Sequence, residues 1–411
     1  MTLFRLGLLY DMKMKLKLIS WKLSFFYCLS ILMYCVSAIA NDEFYTESGN
    51  FFNLSLNTEI GQIDNFLFAN QGEQQTGYLA LSPTFNIQTQ FEKQLFNLNF
   101  VSQHHKYQDF SIDDHSNFQV APRYQYKLAD NKALFINTSF ESFFEARGTE
   151  LTLGVGNSVK KGDQRELSNV SGGYLYGTEE STAKLRIELG QFHHEYKTRR
   201  DKTNVLDQQR NFADISFDYL LSGQSYLATN ISYENISFSN NHLLDKRKYT
   251  ALIGMKWQTT EISRLALLVG YQQIKFDDIT FDDDDGFKWR FDWRWHPIDS
   301  TRVTIRTERG FEEPNRLLNS YRVVDNHNIN ITSELTDIFK VTSVLGSKRE
   351  KIIFEQKGET ENYLFAQFQL NYQRNEWLGF FIKYEYNELD SSKFTFNYQK
   401  NSISMGFNVT I

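Results

Sequence analysis

From Asn41 onward, polar and apolar residues alternate with a period of two along most of the chain. The clearest run is FKWRFDWRW, residues 287–295, in which every aromatic residue is separated from the next by one charged residue. In an extended strand such a run puts the aromatic rings on one face and the charges on the other. The aromatic face suits either the core of a soluble sandwich or the lipid surface of a membrane barrel with a watery lumen.

The same rhythm predicts an all-β chain of eighteen strands. Their predicted ranges are 51–61, 78–89, 94–103, 117–128, 132–144, 167–177, 182–192, 211–221, 225–237, 247–258, 264–276, 286–296, 301–309, 321–335, 338–347, 362–373, 377–387 and 400–411. Strands of soluble sheets average about 5 to 6 residues. Most of these are about twice as long, which suits a tilted strand that crosses a bilayer with roughly 9 to 11 residues.

The connections between the predicted strands alternate in length. Those after even-numbered strands are short (FEKQ, ADNK, LSGQ, HPID, RNE), and those after odd-numbered strands are mostly long. This alternation predicts an antiparallel up-and-down transmembrane β-barrel with tight periplasmic turns and with 145–166, 193–210 and 277–285 outside the cell. The final segment, KNSISMGFNVTI, is then the closing strand, which explains why the rhythm runs to the C-terminus.

The first forty residues differ from the rest of the chain. Four lysines precede the apolar run LSFFYCLSILMYCVSAIA, which ends in Ala38-Ile39-Ala40, so residues 1–40 are predicted to be a signal peptide and 41–411 the barrel. An uncleaved membrane anchor is the alternative, and Met1, Met12 and Met14 all stay open as the start of translation. Both cysteines, Cys28 and Cys35, lie in this segment. A cysteine-free mature chain suits passage through an oxidising compartment.

Composition narrows the class further. The mean hydropathy of -0.48 is too polar for a bundle of membrane helices, although aromatic residues make up 16% of the chain. The whole chain carries a formal charge of -6. Residues 1–40 contribute five basic side chains and one acidic one, so the remainder carries about -10. This acidity argues against nucleic acid as a partner.

The polar face of the predicted strands gives the candidate functional residues. The residues predicted to line the lumen are Arg123, Lys184, Arg186, Asp214, Asp218, Lys288, Arg290, Asp292, Arg294, Arg302, Arg306 and Lys383. Arginine and aspartate facing each other across strands could simply stabilise the wall as cross-strand pairs. A concentration of basic residues would also favour anionic solutes, and the two roles are compatible.

Other motifs in the sequence do not indicate catalysis or a metal. The pairs at 104–105 and 193–194 are adjacent histidines, which point to opposite faces of a strand and cannot share a metal ion. The acidic run at 282–285 lacks the spacing of an EF-hand and fits a solvated outer loop that divalent ions could bridge to lipopolysaccharide. We find no nucleophile motif, so no enzyme activity, no catalytic residue, no metal site and no cofactor are predicted.

Residues 286–411 resemble the family called putative β-barrel porin 2. The resemblance rests on Trp295-His296-Pro297 followed by STRVTIRTERG, and on NYQRNEWLGFFIKYEYNELDSS, after which Tyr398 and Asn401 open the final strand. Residues 41–285 match the family only in pattern. The family's outer-membrane barrels are often associated with exopolysaccharide synthesis and export, so the resemblance implies a polysaccharide-secretion porin in the outer membrane of a Gram-negative bacterium.

Two functions therefore stay open at this stage. The first is a conduit for the export of extracellular or capsular polysaccharide, and the alternative is a general or solute-selective diffusion porin. The expected partners are outer-membrane lipid and lipopolysaccharide, the barrel-insertion machinery, and periplasmic polysaccharide export and synthesis proteins, with no nucleic acid.

Overall fold

The computed structural model describes residues 50–411, except 179, 261, 318 and 355–357. The predicted signal segment at residues 1–40 lies outside the described residues. The described chain is built from eighteen antiparallel strands and a few short helical turns, such as Arg200–Thr203. No helix among the described residues is both long and apolar enough to cross a membrane.

The strands are numbered in chain order. They are β1 Phe51–Ile63, β2 Thr76–Phe91, β3 Gln94–Tyr107, β4 His115–Ala129, β5 Lys132–Glu145, β6 Asp163–Tyr176, β7 Ala183–Tyr196, β8 Gln208–Ser222, β9 Ser225–Phe238, β10 Lys246–Thr260, β11 Ser263–Phe276, β12 Asp284–Ile298, β13 Thr301–Glu312, β14 Tyr321–Glu334, β15 Phe339–Ile353, β16 Gly358–Asn375, β17 Leu378–Ser391 and β18 Tyr398–Thr410. The predicted number of strands is confirmed.

Each strand pairs with its neighbours in sequence, and β1 pairs with β18, so the sheet closes into a barrel without a free edge. At the seam, the terminal Ile411 exchanges two backbone hydrogen bonds with Leu54, at 2.9 and 2.8 Å. The prediction that the C-terminal segment is the closing strand is therefore confirmed. Closure satisfies the backbone groups that a sheet edge would leave unpaired in lipid.

The outer face of the barrel is apolar at mid-height. Leu189 on β7, Ile231 on β9 and Ile403 on β18 lie near the middle of their strands, yet 61%, 60% and 58% of their surfaces are exposed. A monomer in water rarely exposes a continuous apolar patch of more than a few hundred Å². A closed belt of such residues is instead what the hydrocarbon interior of a bilayer requires.

The strand ends differ from the prediction mainly on the side of the long connections. There the strands run several residues further, so the loops predicted as 145–166, 193–210 and 277–285 shrink to 146–162, 197–207 and 277–283. The extra residues include charged runs such as DQRE at the start of β6 and SKRE within β15. Outside the lipid both strand faces meet water or protein, so the period of two fades there while the backbone pairing continues.

Candidate functional site: the barrel interior

Strand register defines one inward face of the wall. Directly paired residues share a face, and the register from β1 through β18 places all the predicted lumen residues on the same side as Glu59 and Glu361. This face is the inward one, because Glu361 and its ion-pair partner Arg316 are buried, whereas the opposite face carries the exposed apolar belt. The predicted set therefore faces the lumen together.

Most of these predicted residues are engaged with neighbours on the wall. Ion pairs join Lys383 to Glu59 at 2.9 Å, Arg306 to Asp292 at 2.7 Å, Arg186 to Glu188 at 2.6 Å and Lys256 to Asp218 at 2.7 Å; Asn230 donates to Asp214 at 2.8 Å, Lys288 donates to Gln272 at 3.4 Å, and Lys184 lies 4.1 Å from the centre of the Tyr226 ring. Most of these contacts join a strand to the next one or to the one beyond it, whereas Arg186 and Glu188 lie on the same strand, β7.

Four exposed arginines on the inward face form no ion pair, hydrogen bond or ring contact with another side chain among the described residues. Three were predicted from the sequence, namely Arg123 on β4 and Arg290 and Arg294 on β12. Sequence analysis missed the fourth, Arg264, because it is the second residue of β11 in a run of mostly apolar residues, SRLALLVG. Register places Arg264 directly opposite Arg294. Arg302 is also exposed, and its Nε donates to Nε2 of His296 at 3.1 Å.

The barrel end with the long connections, which the topology predicts to be extracellular and which is called the extracellular end below, is occupied by the β13–β14 loop, residues 313–317 and 319–320. Its first residue, Glu313, forms ion pairs with Lys246 and Lys248 of β10, at 2.8 and 3.0 Å. The Lys246 side chain is fully buried and also donates to the backbone oxygen of Ser320 at 2.9 Å. Burial by itself would raise the pKa of the Glu313 carboxyl, but the two ammonium groups outweigh it and lower that pKa to about 2. Glu313 therefore anchors the loop in its ionised, carboxylate form.

The same loop has a second anchor further along the wall. Arg316 pairs with Glu361 of β16 at 2.6 Å, and both side chains are buried. Glu361 also accepts a hydrogen bond from the hydroxyl of Tyr363 at 2.8 Å. These contacts hold the loop against β16, while Glu313 holds it against β10. The loop therefore spans the mouth between two separate parts of the barrel wall.

The β5–β6 loop, residues 146–162, enters the mouth from the other side. Arg147 donates to both carboxylate oxygens of Asp113, with Nη2 at 2.5 Å, and its Nη1 donates to the backbone oxygen of Val159 at 3.0 Å. Gly148 has a φ of +84°, and a Cβ at this position would lie 1.9 Å from the backbone oxygen of Leu67. Only glycine permits this approach to the β1–β2 loop.

The two loops touch each other across the opening. Nδ2 of Asn315 donates to Glu150 at 2.5 Å. Eight strands lie between the two loops in one direction around the eighteen-stranded barrel, so they start from nearly opposite sides. Glycine also permits the contact with the β17–β18 loop, because Gly154 has a φ of +74° and packs against Phe396. Inward-folded loops therefore close over the extracellular mouth.

Burial separates the two halves of the interior. Among the described residues, the buried charged side chains lie in the extracellular half or its loops: Glu59, Asp113, Glu145, Arg147, Asp163, Asp207, Lys246, Lys248, Arg316, Glu350 and Glu361. By contrast, Arg264, Arg294 and Arg302, near the periplasmic ends of their strands, are exposed. The interior is therefore packed with protein near the cell exterior and solvated around these arginines.

The adjacent histidines at 104–105 lie on opposite faces of β3, with His105 on the inward face beside Tyr78. His104 forms hydrogen bonds with the hydroxyl groups of Ser102 and Ser116, whereas its neighbour His105 stacks on His115 with ring centres 4.9 Å apart. In the acidic run, Asp283 accepts a hydrogen bond from the backbone nitrogen of Phe276 at 3.0 Å, and Asp284 accepts one from the hydroxyl of Tyr321 on β14. No group of metal-ligating side chains is found among the described residues.

Comparison with known proteins gives one match at the level of a family. The model of a family described as putative beta-barrel porin 2 matches residues 47–411, which is the entire described barrel. None of the curated protein sequences matches the chain.

Solved structures with a similar fold are distant in sequence. OccAB2 of Acinetobacter baumannii has a TM-score of 0.46 and 10% identity over 88% of this chain and 98% of its own. OccK9 (OpdG) of Pseudomonas aeruginosa has a TM-score of 0.45 and 10% identity over 88% and 99%. The siderophore receptor PirA of Acinetobacter baumannii has a TM-score of 0.43 and 8% identity over 89% and 81%. These similarities are too weak to carry functional information.

Proposed function

The chain belongs to the putative β-barrel porin 2 family and is an outer-membrane β-barrel porin, and from this premise we propose that it is a conduit for the export of extracellular or capsular polysaccharide. The family match extends the resemblance from the C-terminal half to the whole barrel, so the matched architecture includes the loops that close the mouth. The proposed location is the outer membrane of a Gram-negative bacterium.

The observation that carries the proposal is an amide-rich stretch of the inward wall. On β14 to β16, Asn328, Asn330, Gln367, Gln369 and Asn371 share the inward face, and Asn328 and Asn330 are exposed. Amide groups both donate and accept hydrogen bonds, which matches the hydroxyl groups of a sugar chain. A long polymer needs many weak, exchangeable contacts, because one tight site would stall its movement.

The closed mouth is compatible with export from the periplasmic side. A polymer that enters the solvated arginine region meets the inner surface of the two loops before it reaches the exterior. Displacing the loops would open the path, and their return would keep the outer membrane a barrier between transport events. We further propose contacts with lipopolysaccharide at the outer rim, with the barrel-insertion machinery during assembly, and with periplasmic polysaccharide synthesis and export proteins.

Deletion of the gene tests the proposal. We expect extracellular polysaccharide to fall and polymer to accumulate in the periplasm, or its synthesis to stop, with recovery when the wild-type gene is supplied in trans. Both cell-associated and secreted polymer should be measured, together with growth and uptake of small solutes. Unchanged secretion in the deletion strain would contradict the proposal.

A general or solute-selective diffusion porin is the second candidate. It is favoured by the inward-folded loops, because a narrowed mouth can sort small solutes by size and charge. Unchanged polysaccharide together with reduced solute uptake in the deletion strain would establish this alternative. Neighbouring genes for glycosyltransferases and a chain-length regulator would instead favour export.

A further inference from the structure

Two arginines face each other directly on the inward wall near the periplasmic opening. Arg264 of β11 and Arg294 of β12 are direct cross-strand partners, and both side chains are exposed. Like charges that are directly opposite destabilise a strand pair. Solvent screens this repulsion without turning it into an attraction. Among the described residues no carboxylate forms an ion pair with either arginine, so within that part of the chain the pair is a small cost to the folded barrel.

A third arginine lies diagonal to this pair. Arg294 pairs with Thr304 of β13, and Arg302 lies two residues before Thr304 on the same face. Diagonal neighbours in a sheet are roughly 7 to 8 Å apart, within reach of long side chains. Because β11 begins at Ser263 and β13 at Thr301, the three arginines lie on adjacent strands beside the same edge of the barrel.

No described carboxylate relieves this concentration of charge. Asp292 lies on the same face but pairs with Arg306 at 2.7 Å. Glu334 lies on the inward face two residues beyond Thr332, which is the direct partner of Arg302, and Asp299 lies in the β12–β13 turn. Neither carboxylate forms an ion pair with the described residues. Arg306 thus forms an ion pair with a carboxylate of the wall, whereas the three arginines at the edge form none with the described residues.

We propose that Arg264, Arg294 and Arg302 form a binding site for the anionic groups of a polymer that enters from the periplasm. This inference rests on the proposed export function and adds a substrate class, an acidic polysaccharide bearing carboxylate, phosphate or sulfate groups. Guanidinium groups recognise such oxyanions through paired hydrogen bonds. A cleft of one charge sign also raises the local concentration of the opposite charge.

Exposure of the site suits capture followed by release. Each arginine is exposed, so an individual contact to an anion is weak, as for other exposed ion pairs. Several such contacts act together on a chain with repeating charges, because the second contact is intramolecular once the first has formed. The site therefore concentrates a polyanion at the entrance without fixing any one unit of it.

The test uses the full-length barrel in planar lipid bilayers. Oligogalacturonate, oligophosphate and neutral dextran of similar length are added to the periplasmic side, and the half-blocking concentration of the ion current is measured. The variant is Arg264→Gln with Arg294→Gln. Its matched control is Lys127→Gln with Lys340→Gln, which removes the same charge from exposed inward positions on β4 and β15.

We expect the arginine variant to weaken block by the anionic oligomers about tenfold, the control to change it less than about twofold, and dextran to be unaffected by either. If block weakens equally in both variants, the effect comes from the overall charge of the lumen and the proposed site is overturned. If block weakens in neither variant, the site is overturned as well. A difference for only one of the anions would identify which group is recognised.

Thermal unfolding gives an independent readout. Since Arg264 and Arg294 repel each other, Arg264→Gln is expected to keep or raise the unfolding temperature. A clear fall in that temperature would show that the pair stabilises the barrel wall instead. Secretion by the deletion strain tests the export function separately. If secretion is normal while anion block depends on the arginines, the export function fails and the anion site stands.

Discussion

Glu313 provides the sharpest test of the closed extracellular mouth. In Glu313→Gln the side chain keeps its size and loses its charge, so Lys246, which is fully buried, loses its carboxylate partner. Removing one partner of a buried ion pair typically costs about 3 to 5 kcal/mol. We use the lower end, because Lys248 keeps an ion pair with Glu234 at 3.3 Å and Glu313 is 14% exposed.

The cost falls on the docked state of the loop. A loss of about 3 kcal/mol lowers the ratio of docked to undocked loop roughly 10²-fold, since each 1.4 kcal/mol is a factor of ten. In single-channel recordings the wild-type barrel should be mostly closed, and Glu313→Gln should show a large rise in open probability. A cysteine at Asn315 should also react faster with an impermeant thiol reagent in this background.

Glu312→Gln is the matched control. Glu312 is the neighbouring residue, 52% exposed, and pairs with Arg322 at 2.9 Å. Exposed ion pairs contribute about 0 to 1 kcal/mol, so this variant should behave like the wild type. Heat-modifiable migration on gels verifies that each variant has assembled. If Glu313→Gln assembles but matches Glu312→Gln in both conductance and labelling, the loop does not close the mouth through this ion pair.

Three further expectations follow from the topology, the lipid face and the buried carboxylate. Cysteines at Gln74 and Asp283 should react with an impermeant thiol reagent on intact cells and one at Asn131 should not; the reverse pattern would overturn the orientation. Phe291→Arg places a charge on the outer face at mid-strand and should cost about 2 to 4 kcal/mol in denaturant titrations of the lipid-embedded barrel, so unchanged stability would refute the assigned face. Since the pKa of Glu313 is lowered from 4.5 to about 2, the stabilisation by its ion pairs is fully present above pH 4.5 and is lost as the pH falls towards 2; conductance should stay low from pH 7 to 5 and rise only in that acidic window, and a rise near neutral pH would contradict the assignment.

The amino-acid sequence by itself determined the strands, their faces and the order in which they pair. The period of two is a local property of extended backbone, and lipid on one side with water on the other imposes it along every strand. Thus FKWRFDWRW puts Phe291 and Arg290 on opposite faces, and the strand lengths and alternating connections then assign Phe291 to lipid and Arg290 to the lumen. The short turns then permit only neighbour pairing, which leaves the first and last strands to close the barrel.

Only the tertiary structure decided what fills the interior. The contact between Asn315 and Glu150 joins residues 165 positions apart, and loops carry no period from which such a contact could be read. Gly148 and Gly154 are visible in the sequence, but their close approaches appear only when the β1–β2 and β17–β18 loops are in place. The pairing of Arg264 with Arg294 likewise depends on a register that the turn after β11 alone does not fix. Periodicity records which side of the wall a residue occupies, whereas contacts across the barrel depend on closure, which brings distant segments within a few ångströms.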